Sequence, residues 1–147
     1  MALGDLKGGP FDLVYRAKGT GTLTAGFAVA FDSSGNAIPA TASTTGKHGI
    51  YTGITHIVGA TTYYGICLRG RIVCSAGGAI KPNKLVVSDG SAEIVAATLT
   101  VSATYNTTEQ TVGFQIIGTY LRVDGDAQYA AADAADGDEI IVDVGGF

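Results

Sequence analysis

Four side chains in this sequence are suited to acid–base, nucleophilic or soft-metal chemistry near neutral pH: His48, His56, Cys67 and Cys74. Their spacing gives little to work with. The seven-residue offset of the two cysteines matches no usual zinc spacing, and two histidines need a third partner at a suitable distance to hold a metal. A hydrolase needs a nucleophile, a base and an orienting group, and neither histidine stands in a recognisable serine or cysteine motif. Drawn as a dyad, Cys67 and His56 read instead as a core thiol and a surface-loop histidine. The acidic stretch Asp133, Asp136, Asp138 and Glu139 lacks the Asp/Asn ladder and terminal bidentate Glu of a calcium loop, so it reads as a solvated acidic turn, as does Asp124-Gly125-Asp126. Glycine is abundant at 22 residues, yet no Gly-x-Gly-x-x-Gly and no Gly-Lys-Ser/Thr phosphate loop occurs. These glycines read as turns and bulges. No catalytic, cofactor or metal residue is assigned, and the chain is not expected to be an enzyme.

The segment Gly77-Gly78-Ala79-Ile80-Lys81-Pro82-Asn83-Lys84-Leu85 resembles the half-motif of biotinyl and lipoyl carrier domains. Those domains present an exposed lysine in a hairpin turn, usually beside a methionine, and the one methionine here is Met1. What survives is a shape: a Gly turn, a buried Ile, a further turn, then a strand.

The elements around these residues are strands. Residues 25–40 and 81–96 state one pattern twice: a turn, a short apolar strand, an Asp/Ser/Gly turn, and a second strand ending in Ala. That is the layout of a β-hairpin, because Asp, Ser and Gly accept tight-turn dihedrals while Val, Ile and Phe prefer pleated flanks. Ile50 to Ile57 alternates as a strand, and Val58-Gly59-Ala60 interrupts it. Residues 61–75 are the densest run of β-formers, with Gly70 marking a tight turn or a bulge that bends one long strand. On one unbroken strand Cys67 and Cys74 face opposite sides.

Further strands are expected around Ala97–Tyr105 and Thr111–Val123, with a turn at 106–109, and over Glu139–Val144. Six alanines within residues 126–136 allow a short helical turn, which Gly137 stops. The fold class is therefore all-β, a compact barrel or sandwich of short strands. Residues 1–20 form an extended N-terminal arm and 21–147 a single β-rich domain, with repeat halves 21–75 and 76–147. The arm, broken by Gly4, Gly8, Gly9 and Pro10, gains order by lying on something else.

Composition narrows the class of partner. At 147 residues the chain can bury one core, while only 15% of it is charged. A lightly charged, small-residue surface suits a protein packed against a partner. The net charge of −4 argues against nucleic acid, which needs a basic stripe. Residues 1–84 carry +5 and residues 85–147 carry −9, an asymmetry that permits head-to-tail contacts or cancels between folded lobes. No apolar run of eighteen residues is present to span a membrane, and the first residues lack the pattern of a signal peptide. Two cysteines without a disulfide framework indicate synthesis in a reducing compartment.

The cadence Arg71-Ile72-Val73, Gly77-Gly78-Ala79-Ile80 and Leu85-Val86-Val87-Ser88-Asp89-Gly90 resembles the capsid decoration, or cement, proteins of tailed bacteriophages. Val112-Gly113-Phe114-Gln115-Ile116-Ile117-Gly118 and Asp136-Gly137-Asp138-Glu139-Ile140-Ile141-Val142 are similar to that family's closing strands. One departure is Asn83-Lys84, where the family often has Gly-Asp. The resemblance implies a virion protein made in the host bacterial cytoplasm that binds the outer face of an icosahedral head. There it clamps major capsid proteins and associates with itself as a trimer or a dimer. The arm then supplies the interface candidates Leu3, Leu6, Phe11, Leu13 and Tyr15. The alternative is a β-sandwich fibre, tail or surface module that binds carbohydrate on tyrosine faces (Tyr51, Tyr63, Tyr64, Tyr105, Tyr120, Tyr129).

Overall fold

The computed structural model describes residues 2–7, 12–98, 115–124 and 133–145. Among the described residues nine strands form one curled sheet, a half-barrel, and no helix occurs. The strands are β1 Leu13–Lys18, β2 Ala28–Phe31, β3 Ala37–Pro39, β4 Gly49–Val58, β5 Thr61–Ser75, β6 Leu85–Ser88, β7 Ile94–Ala96, β8 Gly118–Val123 and β9 Glu139–Val144. Their order is β3-β2-β4-β5-β9-β8-β6-β7, every neighbouring pair is antiparallel, and β1 adds to β5. The expected strand at 97–105 and the Ala-rich turn fall largely outside the described residues, as does the first part of the strand expected at 111–123, whose second part is β8. Residues 133–136 are not helical.

The pairing repeats. In the first lobe β2 pairs with the hairpin partner β3 and with β4, and β4 pairs with β5; in the second, β6 pairs with β7 and β8, and β8 with β9. Individual bonds match as well. Tyr51 N–H donates to Phe27 O and Gly26 N–H to Tyr51 O, just as Tyr120 N–H donates to Lys84 O and Asn83 N–H to Tyr120 O. In the hairpin turns, the Asp32 carboxylate accepts from the Ser34 and Asn36 amides, and the Asp89 carboxylate from those of Ser91 and Glu93. The same left-handed positions are filled by Gly26 and Asn83 (φ 77° and 61°) and by Gly35 and Ala92 (φ 80° and 64°). Asn83 thus keeps the backbone turn that Gly26 makes in the first lobe, because Asn is among the residues that tolerate this region.

The repeat includes strands that the sequence did not align. β1 on the inner half of β5 corresponds to the outer half of β5 on β9. Each closes its lobe with a parallel bridge, Gly19 to Ala37 and Ala76 to Ile94. The lobes therefore meet within β5, at Gly70, and not between residues 75 and 76. β5 is one long strand there, with Gly70 at φ 126° and a register shift in its pairing with β1. That shift overturns the simple alternation for the cysteines. Cys67 and Cys74 both enter the main core, with Ile50, Ile72, Ile94, Tyr120 and Ile140, and both remain free thiols. A second, smaller cluster of Ala17, Val29, Ala37, Tyr51 and Ile66 lies on the other face of the first lobe.

Residues 2–7 and 12–20 of the arm are described. Its described residues lie on the chain's own sheet: Leu6 bridges Ile72, Lys7 N–H donates to Arg71 O, Val73 N–H donates to Asp5 O, and β1 follows along residues 63–69. Lys7 also pairs with Asp124 at 2.8 Å, tying the arm to the second lobe.

Candidate interaction surface

β1, residues 61–69 of β5 and β4 form a three-stranded ribbon, and the hairpin end of β4 and β5 runs on beyond the first lobe's core. Two devices shape it. At the tip, Gly59 (φ 62°) takes the first of two turn positions between Val58 and Thr61, as a II′ hairpin requires. At the base, Thr52-Gly53-Ile54 forms a bulge opposite Gly65, with Gly53 at φ 81°. Thr52 Oγ1 fixes the bulge by donating to Gly65 O at 2.8 Å and accepting from Ile54 N–H at 3.3 Å. The bulge re-aims the outer half of β4, whose inner residues 49–52 are buried and whose residues 53–58 are all exposed.

The ribbon carries every exposed large hydrophobic residue among the described ones: Leu13, Val14, Tyr15, Ile54, Ile57 and Val58, each at least 40% exposed. One face holds a cleft of about 170 Å³ lined by Leu6, Val14, Arg16, Ile54, His56 and Gly65. That is below the size of ordinary small-molecule pockets and suits a single side chain. On the other face the Tyr15 ring meets Phe31 edge-on, with centroids 6.0 Å apart, which fixes its position while leaving half of it exposed.

The sequence-derived interface candidates divide. Leu13 and Tyr15 lie on the ribbon. Leu3 packs directly on Gly26, where an added Cβ would stand 2.7 Å from the leucine Cβ, and Leu6 packs against the main core. Both serve the fold. Phe11 lies outside the described residues. Ile54, Ile57 and Val58 were not singled out in the sequence, where the alternation of 50–57 reads as a half-buried strand. The signal available was the pair Gly53 and Gly59 bracketing them.

The groups with chemical potential are occupied structurally. His48 is buried, its Nδ1 2.9 Å from Gly46 O and its Nε2 2.9 Å from Thr44 Oγ1, and desolvation lowers its pKa. Burial pushes the Cys67 thiol up to about 11 and Cys74 well above the ordinary range, so neither supplies a thiolate at neutral pH. His56 sits opposite Tyr63, four strand positions or about 13 Å from Cys67, so the two form no dyad. Among the described residues no three His, Cys, Asp or Glu side chains are grouped to hold a metal. Asp138 instead caps its own turn, accepting from Ala135 N–H at 2.8 Å. Tyr120 and Tyr51 are buried, and Tyr64 meets Tyr51 edge-on at 5.5 Å.

No family model matches this chain, and neither a curated protein nor a solved structure matches it.

Proposed function

We propose that this chain is a non-catalytic structural protein of a phage head, bound to the outer surface and bridging neighbouring major capsid proteins. The observation that carries the reading is the gathering of exposed apolar side chains on one hydrogen-bonded ribbon held by a compact β body. Fully burying a side chain of this size contributes about 1.5–3 kcal/mol. A lattice that repeats the contact multiplies modest affinity into stable attachment. The resemblance to decoration proteins supplies the partner, and burial of Tyr51 and Tyr120 takes those two rings out of reach of a carbohydrate ligand.

The test is co-sedimentation with expanded heads of the phage that encodes the chain. Ile57→Asp with Val58→Asp, both on the exposed outer half of β4, should lower head binding at least a hundredfold while leaving the thermal melt within a few degrees. Full binding by this folded variant, or binding to a glycan array in place of heads, would overturn the reading.

A further inference from the structure

The two lobes differ at one sheet edge. In the second lobe the strand Gly70–Ser75 is flanked on one side by β9 and on the other by the chain's own Asp5-Leu6-Lys7. The equivalent strand of the first lobe is β1. It has β5 on one side and no described strand on the other. The groups available on that open side follow from β5. Gly65 O accepts from Thr52 on the β4 side, so Gly65 turns its backbone away from β1 and its partner Arg16 does not bond to it. By alternation, Val14 and Arg16 both direct their N–H and C=O groups outward, to the open edge. Unpaired edges of this kind are templates for strand addition.

What covers the equivalent edge indicates what fits here. In the second lobe Leu6 stands opposite Ile72, with Lys7 opposite Arg71 and Asp5 opposite Val73. Ile72, Arg71 and Val73 correspond to Tyr15, Val14 and Arg16. The dipeptide Asp-Leu that covers them recurs in the sequence only once, at Asp12-Leu13, immediately before Val14.

We infer that the open edge of β1 pairs antiparallel with β1 of a second copy about a two-fold axis, Asp12-Leu13-Val14 of each chain covering Arg16-Tyr15-Val14 of the other. In this register the two Val14 residues exchange backbone hydrogen bonds, Leu13 faces the other copy's Tyr15, and Arg16 faces the other copy's Asp12. Apolar groups meet apolar groups and each charge meets its opposite, the pairings that stabilise neighbouring strands. The contact is isologous, so it closes at a dimer. It joins two ribbons into one continuous sheet and leaves Ile54, Ile57 and Val58, two strands away, open to another partner. The inference does not depend on the capsid reading.

Sedimentation velocity across a concentration series tests it, with far-UV circular dichroism as the check on folding. The unaltered chain should form a dimer. Arg16→Pro removes only an outward N–H, a position where edge strands accept proline, and should raise the dimer dissociation constant at least tenfold with an unchanged spectrum. Arg16→Asp and Asp12→Arg should each weaken the dimer, and the double exchange should restore it. Because Leu13 and Tyr15 face each other as a non-hydrogen-bonded pair, an oxidised mixture of Leu13→Cys and Tyr15→Cys chains should give a disulfide-linked pair. Monomeric behaviour of the unaltered chain overturns the inference. So does a folded Arg16→Pro variant that keeps its oligomer, or failure of the mixed chains to cross-link.

Discussion

The two lobes share a pairing scheme and differ in how it is finished. In the first, β4 and β5 run past the core as a ribbon and no described strand covers the outer edge of β1. In the second, the Asp5–Lys7 segment covers the matching edge and the Lys7–Asp124 ion pair secures it. One copy of the motif is closed on itself and the other keeps backbone and apolar surface available.

The largest test of this equivalence is at Gly49 and Gly118, which occupy matching places opposite Val29 and Val86. A Cβ at Gly118 would run into the Asp143 carbonyl, a backbone group that cannot yield, while one at Gly49 meets Ile66 Cγ2 at 2.5 Å and Cys67 O at 2.7 Å. Gly118→Val should cost on the order of 4 kcal/mol and Gly49→Ala about 2–3 kcal/mol in urea unfolding followed by circular dichroism. If either substitution is silent, the close approach of β8 to β9, or of β4 to β5, is not as described.

A smaller contrast lies one residue earlier, where the first lobe has His48 and the second Ile117, both buried. Desolvation lowers the His48 pKa in the folded state, so the unfolded chain binds its proton more readily. The contribution of the neutral imidazole is complete above the ordinary histidine value of 6.5 and is lost as pH falls through and below it. Thermal melts should therefore show a steeper loss of stability between pH 7 and pH 5 in the unaltered chain than in His48→Ile. Parallel curves would remove this role.

The smallest effect is expected at Asn83, the left-handed position that the first lobe gives to Gly26. Asn83→Gly should stabilise by about 0.5 kcal/mol, since glycine takes a positive φ at no steric cost. A loss of stability instead would mean that the Asn side chain itself supports the turn.

Much of this architecture was legible in the sequence. Both hairpins and the bounds of β9 follow from β-formers set between turn residues, while the β-former run 61–75 leaves open whether Gly70 turns it into a hairpin or bends one long strand. The repeat was legible in outline but one residue out of phase at the hairpin turns, and the cause is Ala92. The first turn marks its left-handed residue with Gly35, whereas the second fills that place with an alanine that carries no turn signal. The correspondence of β1 with the end of β5 could not be read at all. Leu-Val-Tyr-Arg-Ala-Lys and Gly-Arg-Ile-Val-Cys-Ser share no residue at matching positions, and only their hydrogen-bonding partners identify them. Of the exposed apolar residues, Leu13 and Tyr15 could be singled out in the sequence because they lie in an extended segment near glycine and proline breaks. Ile54, Ile57 and Val58 were hidden because a strand that leaves its core keeps the composition of one that stays inside it.

The shared strand β5 has a mechanical consequence. Because its backbone runs unbroken from the ribbon through the first lobe and into the centre of the second, no flexible linker separates the two bodies. A pull at the tip along the ribbon is carried by covalent bonds into a strand held on both sides. It loads the rows of hydrogen bonds from β5 to β1 and to β9 in shear, where they must break together and cannot be peeled apart one at a time. An attachment made at the tip is in this way backed by the whole sheet.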